Sequence, residues 1–221
     1  MPESDLFAAQ RRAMVEQQLR ARGIRDELVL RAMMEVPRHL FVPQDCVDSA
    51  YADQPLTIGR GQTISQPFMV AAMTEALGLA GTERVLEVGA GSGYQAAILG
   101  RLAKEVIALE LEPALAELAA TRLARMGCAN VRVLAGDASG GYPMMAPYDA
   151  IVVSAAARTV PQPLVEQLGD GGRLLIPVGP EDNQELLRIT LRGGGTTREV
   201  LHYCRFVPLL GQHGQREGGR Q

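Results

Sequence analysis

Several common signatures of function are missing from this 221-residue chain. Cysteine is scarce: Cys46, Cys128 and Cys204 are odd in number and scattered, which excludes a disulfide framework and suits reduced thiols in a cytoplasmic protein. His39, His202 and His213 are just as scattered. No pair has ligand spacing, so no metal site is expected. Positive charge is not in excess, since 22 Lys and Arg stand against 25 Asp and Glu. That balance removes the electrostatic argument for nucleic acid as a partner. No apolar run reaches membrane-spanning length, and the first residues are polar, without the apolar core of a signal peptide. What is left is a soluble globular chain, 47% apolar and 21% charged, long enough for one larger domain with a sizeable core.

What the chain does contain is concentrated in residues 84–94. Val85, Leu86 and Val88 read as a buried strand, followed by Gly89, Gly91 and Gly93 at alternate positions and then an apolar helical run over 96–102. A strand, a glycine turn and a helix form the front half of a Rossmann-like nucleotide site, where backbone approaches a ligand closely. Folds that hold a pyrophosphate use G-x-G-x-x-G. Here the third glycine comes one residue early and the bulky Tyr94 follows. Residues 105–110 read as the next strand, ending on Glu110, twenty-one positions after Gly89. An acid there can accept both ribose hydroxyls of an adenosyl group. It would equally suit the start of the helix that Pro113 opens.

Around this unit the pattern predicts an α/β fold: a Rossmann-like, mostly parallel sheet flanked by helices, with an N-terminal helical extension and a C-terminal antiparallel hairpin. After a loose lead-in over 1–10, one helix over 13–22 carries Val15 and Leu19 and stops at Gly23. A second begins at Asp26 as N-cap, buries Val29, Leu30, Met33 and Met34, and ends before Pro37. Residues 51–67 are polar and irregular, and run into a helix with Met69, Met73, Ala76 and Leu77 inward. Ser65, two positions before Pro67, reads as a helix cap with a first-turn proline or as part of a functional loop. Further strands are expected at 131–134, 150–153 and 173–178, with a short helix over 164–168 closed by the glycine run 169–172. Residues 186–191 and 199–207 pair as a hairpin across the glycines at 193–195. The whole of 1–221 is expected to be one domain, with the extension and a loop over 1–80, the α/β core over 81–211 and a disordered tail over 212–221.

Longer stretches carry a resemblance. Residues 36–43 (Val-Pro-Arg-His-Leu-Phe-Val-Pro), 61–70 (Gly-Gln-Thr-Ile-Ser-Gln-Pro-Phe-Met-Val) and 85–94 resemble the protein-L-isoaspartate O-methyltransferases. The likeness continues through Gly136-Asp137, residues 146–151 and residues 206–209, and spans nearly all of the chain except its tails. The glycine spacing is common to the class I S-adenosylmethionine-dependent methyltransferases, whose cofactor has no phosphate to cradle. Residues 63–67 are close to diagnostic of this one family. The resemblance implies S-adenosyl-L-methionine as cofactor, with Gly89 and Gly91 along its methionine part, Glu110 at the ribose, and Asp137 with its neighbour Ala138 at the adenine. Thr63, Ile64, Ala90 and Leu111 belong to the same implied cofactor surface, and Ser65 corresponds to the active-site serine beside the substrate carboxyl and the transferred methyl. Two positions depart from the family's pattern: Ala138 stands where glycine is usual, and Leu111 where arginine often follows the ribose acid. His39 lies in a matching segment and reads as a structural partner.

The implied activity is methylation of the free α-carboxylate of L-isoaspartyl residues in damaged proteins and peptides, which initiates their repair. Such a carboxylate is already ionised at pH 7, so no general base and no metal is required. Alignment of the reactants and a dry pocket carry the rate, and Ser65 orients the carboxylate by a hydrogen bond. Isoaspartyl proteins are the expected partners, with neither nucleic acid nor membrane, for a monomer in the cytoplasm. A methyltransferase with another acceptor, such as a small acid, and a non-catalytic nucleotide-binding adaptor are the alternatives. Residues 63–67 speak against the first, Glu110 and Ser65 against the second.

Overall fold

The computed structural model describes residues 5–215. Helix α1 (Asp5–Ala13) continues into a π-helical stretch (Met14–Leu19) and a 3₁₀ turn (Arg20–Arg22), and ends at Gly23 with φ of 103°. This corrects the lead-in expected over 1–10: the chain is helical from Asp5, while residues 1–4 lie outside the described residues. Phe7 supplies the anchor, its ring stacked on His39 at 4.2 Å between centroids. Helix α2 (Glu27–Glu35) starts as expected, with the Asp26 carboxylate accepting from the Leu28 and Val29 amides at 2.8 and 3.3 Å. Val29, Leu30 and Met33 form its buried face, and Pro37 follows its end.

Residues 51–67 are more regular than their composition suggests. Strands β1 (Leu56–Gly59) and β2 (Gln62–Ile64) pair antiparallel, joined by Arg60 and Gly61 at φ of 55° and 71°. Positive φ at both central positions matches the twist of a two-residue hairpin. Leu56 and Ile58 point inward and Thr57 outward, the alternation of a half-buried strand. Helix α3 (Pro67–Leu77) has proline in its first turn, where a missing N–H costs nothing. Instead of one inward stripe, every residue from Pro67 to Thr74 is buried, because the N-terminal extension covers one side and the main sheet the other.

The main sheet has strands β3 (Arg84–Val88), β4 (Glu105–Glu110), β5 (Val131–Ala135), β6 (Tyr148–Val153), β7 (Leu168–Val178), β8 (Gln184–Arg192) and β9 (Gly195–Cys204), in the order β5-β4-β3-β6-β7-β8-β9. The first five are parallel, with Leu86 opposite Ile107 on one side and Ile151 on the other. The last two pairings are antiparallel. Val85, Val106, Ala150 and Val152 face α3 and helix α4 (Tyr94–Gly100); Leu86, Ile107, Ile151 and Leu174 face the opposite way with Leu164. Crossovers from β3 run through α4 to one side, while β6 adds on the other. The carboxyl ends of β3 and β6 are therefore the switch point, where open α/β sheets place their ligands.

Two expectations on the C-terminal half are corrected. The short helix α6 (Gln162–Glu166) ends earlier, and the glycine run 169–172 is a bulge inside β7, four residues looped out between Leu168 opposite Tyr148 and Arg173 opposite Ala150. Asp170 on this bulge accepts from the Gly193 amide at 2.6 Å, in the turn between β8 and β9. The tail expected to be disordered from 212 is hydrogen-bonded through 215: the Gln212 amide donates to Asp137 Oδ2 at 2.7 Å, that of His213 to Ser139 Oγ at 2.9 Å, and that of Gln215 to the Leu209 carbonyl at 2.7 Å. Residues 216–221 lie outside the described residues.

Candidate active site

The end of β3 opens into the glycine loop because all three glycines take positive φ, 90° at Gly89, 53° at Gly91 and 87° at Gly93. The Gly89 and Ala90 amides both donate to the Leu109 carbonyl at 2.9 Å, tying the loop to β4. Packing gives the third glycine its own reason. A Cβ at Gly93 would stand 3.1 Å from Ala119 Cβ, on helix α5 (Pro113–Arg125). At Gly91 it would meet Ile58 of β1 at 3.4 Å, so the small hairpin rests on the loop. Glu110, only 6% exposed, finishes the frame: its Oε2 accepts from the Gly91 amide at 2.7 Å and its Oε1 from the Glu112 amide at 3.0 Å.

These elements border a cavity that opens to solvent. Thr63, Ile64 and Ser65 form one wall, Gly89, Ala90 and Gly91 the floor, and Glu110, Leu111 and Ala138 the far wall. Residues 207–210 form the roof, held by the Leu209 amide on the Ala156 carbonyl at 2.8 Å. Past Glu110 and Leu111 the cavity adjoins a second hollow bordered by Arg60, Gln212 and Gln215. All but one of the residues expected at the site therefore converge. The exception is Asp137, which is exposed and does not line the cavity. Its carboxylate accepts from Ser139 N and Oγ at 2.8 and 2.7 Å and from the Gln212 amide. Partial burial pushes its pKa up, but the hydrogen bonds from Gln212 and Ser139 outweigh that and hold it below the usual carboxylate range.

Ser65 does not cap α3. The N-cap position belongs to Gln66, without a side-chain bond. The Phe68 amide is instead satisfied by Asp53 Oδ1 at 3.0 Å, and Asp53 is paired with Arg22, whose guanidinium lies 3.7 Å over the Phe68 ring. The Ser65 hydroxyl makes no hydrogen bond among the described residues and stands on the cavity wall. His39 is a structural partner, with Nδ1 2.8 Å from the Tyr51 hydroxyl. Among the described residues no three His, Cys, Asp or Glu side chains are grouped to hold a metal.

One cavity residue escapes motif reading. Glu87 is fully buried in β3, borders the cavity, and has no hydrogen-bond partner for either carboxylate oxygen among the described residues. Burial pushes its pKa well above the usual carboxylate range, and the neighbouring Glu110 carboxylate adds to that. Its trace in the sequence is an acid in the middle of an otherwise apolar strand, which a buried strand does not accept without a reason. Next to it, Tyr94 is buried with the Arg38 guanidinium 4.9 Å from its ring centre. Burial lowers Arg38 to about 10.

Comparison with known proteins bears on the family and the fold. A family model described as protein-L-isoaspartate(D-aspartate) O-methyltransferase (PCMT) matches residues 9–214. A relative from Methanoculleus marisnigri named protein-L-isoaspartate O-methyltransferase is 53% identical and covers 96% of each chain. One from Rhodopseudomonas palustris, named protein-L-isoaspartate O-methyltransferase 1, is 56% identical over 94% of this chain and 86% of its own. A solved structure named protein-L-isoaspartate O-methyltransferase superposes with a TM-score of 0.83 at 28% identity, over 92% of this chain and 66% of the other. A putative enzyme of the same name from Plasmodium falciparum, in complex with S-adenosyl-L-homocysteine, gives 0.80 at 27% identity over 90% and 98%. By the family model over residues 9–214 and by relatives more than half identical along most of its length, the chain belongs to the protein-L-isoaspartate O-methyltransferase family.

Proposed function

We propose that the cavity holds S-adenosyl-L-methionine and that Ser65 presents to it the free α-carboxylate of an L-isoaspartyl residue, in damaged proteins and peptides, as the first step of their repair. The observation that carries this reading is the convergence of Ser65 with Gly89, Ala90, Gly91 and Glu110 on one cavity. The residues fit the cofactor's chemistry. Glu110 spends one lone pair of each oxygen on backbone amides and keeps acceptor capacity for a ribose diol. Glu87 is an unpartnered buried acid suited to the cationic methionine end. Leu111, Ala138 and Leu209 offer apolar surface to a base. Asp137 is assigned here to the C-terminal turn rather than to adenine.

When bound, the cofactor supplies a methyl group on a sulfonium, a strong electrophile. The chain's own part is positional. The substrate carboxylate arrives ionised, and Ser65 Oγ donates a hydrogen bond that fixes one of its oxygens. Residues 207–210 roof the site and keep water from competing. An aspartyl carboxylate has the same charge but one methylene more between it and the backbone, so discrimination is geometric; misplacement by about 1 Å costs on the order of a hundredfold. The protein acts as a cytoplasmic monomer of one domain, with residues 1–80 shaping the substrate side and 81–211 holding the cofactor. No helix of the described residues is long and apolar enough to cross a membrane. Matched isoaspartyl and aspartyl peptides, incubated with the protein and S-adenosyl-L-methionine, test the reading by mass spectrometry. The methyl ester is expected on the isoaspartyl peptide with almost none on the other, and comparable rates would overturn the repair assignment.

A further inference from the structure

We propose that Glu87 is neutral in the cofactor-free protein and loses its proton when the positively charged end of S-adenosyl-L-methionine binds, so that cofactor capture releases a proton. The proposal rests on the cofactor reading above and deepens it. Its ground is geometric: a carboxyl at the floor of the cavity, 0% exposed, with neither oxygen bonded to any described residue. A structural acid at such depth finds donors, because an unpaired buried charge is among the most costly features a fold can hold. Glu83, in the same chain, shows the contrast: it is 8% exposed, and its two oxygens take four contacts from the amides of Ala80, Gly81 and Thr82.

Among the described residues, those that line the cavity with Glu87 include no cation. From β4 comes Glu110, a second carboxylate, which disfavours its charge. From α4 come Tyr94 and Gln95; the Gln95 amide is already donating to Thr74 Oγ1 at 2.8 Å, and the Tyr94 phenol is held protonated by burial. The α3 side presents Val70, the end of β6 presents Ser154, and the loop before α3 presents Ser65, none of them ionisable in the working range. Arg38 sits over the Tyr94 ring at 4.9 Å, and the charge that acts on Glu87 is that of Glu110. Two adjacent acids without a cation share at most one charge comfortably. A ligand carrying a positive charge into this corner reverses the balance, and the proton passes to solvent. The sign follows directly. Ionisation of Glu87 is required for its pairing with the ligand, so below the carboxyl's pKa in the free protein each fall of one pH unit weakens binding about tenfold, and above it affinity levels off.

The test is calorimetric, using the full chain with S-adenosyl-L-methionine and, separately, S-adenosyl-L-homocysteine, in buffers of contrasting ionisation enthalpy. Work between pH 6 and 7 keeps the ligand's own amino group charged, since α-amino groups titrate near 7.7–8.0. Release of up to one proton per site is expected for wild type, and none for Glu87→Gln, whose affinity should also be flat with pH. Release with both ligands would assign the pairing to their shared ammonium, and release with S-adenosyl-L-methionine alone to the sulfonium; either supports the proposal. Should Glu87→Gln fail to fold, difference infrared spectra of wild type serve instead, with loss of a protonated-carboxyl band expected on adding ligand. Tight binding without proton release, or an unchanged carboxyl band, would overturn the proposal and leave the cofactor reading standing. Absence of binding by both ligands at every pH would overturn the two together.

Discussion

Replacement of Glu110 by alanine separates a cofactor ligand from a structural acid. In the folded chain Glu110 is 6% exposed and already supports two backbone amides, Gly91 at 2.7 Å and Glu112 at 3.0 Å. Glu110→Ala therefore has two effects of different size. Hydrogen bonds to a charged group are worth about 1.5–3 kcal/mol net, so losing the ribose contact should raise the Kd roughly 10- to 150-fold. The freed amides belong to half-buried residues, where water replaces a lost partner, and the stability cost sits near the low end of about 1–3 kcal/mol. In a chain of this size about 1 kcal/mol lowers the Tm by roughly 2–4 °C. Titration calorimetry with S-adenosyl-L-homocysteine reads the first effect and a thermal melt the second. A purely structural Glu110 would show the melt shift with unchanged affinity, and that result would remove it from the cofactor site.

Two further substitutions test neighbouring parts of the geometry. Because Asp53 rather than Ser65 supports the first turn of α3, Ser65→Ala should leave stability within about 0.5 kcal/mol while lowering turnover far more than cofactor affinity; near-normal kcat in a steady-state assay would refute the orienting role. Gly93→Ala should destabilise the fold by at least the roughly 1–2 kcal/mol of a left-handed residue, with the contact to Ala119 in addition, and an unchanged Tm would show that the α4–α5 approach is looser than described.

Much of the site was legible because its residues have no other good reason to be where they are. Gly89, Gly91 and Gly93 interrupt an apolar run, and each takes a positive φ that other residues adopt at a cost. Glu110 ends a strand that is apolar from Val106 to Leu109. What could not be read depends on partners distant in sequence. The helical start at Asp5 is secured by Phe7 on His39, and the support for α3 comes from Asp53 rather than the adjacent serine. Asp137 carries the right motif, yet its carboxylate is engaged by Gln212, seventy-five residues on. The β1–β2 hairpin was hidden by its turn: Arg60-Gly61 lacks the Asn or Asp that usually announces positive φ. Glu87 stood out as an acid inside an apolar strand, but only the fold reveals that no described residue bonds to it.

The bulge of β7 bears on how the protein itself ages. Asp170 and Gly171 form the chain's single Asp-Gly pair, the dipeptide in which an aspartyl carboxyl is most open to attack by the following nitrogen, because glycine has no side chain to obstruct it. Both residues are exposed, so burial does not protect them. What restrains the pair is the hydrogen bond from the Gly193 amide, which commits the Asp170 carboxylate to the β8–β9 turn. The rearrangement that creates an isoaspartyl linkage then has to wait for that turn to open, a local fluctuation far cheaper than global unfolding. One backbone hydrogen bond in a glycine turn thus stands between this dipeptide and the free conformations in which the ring can close.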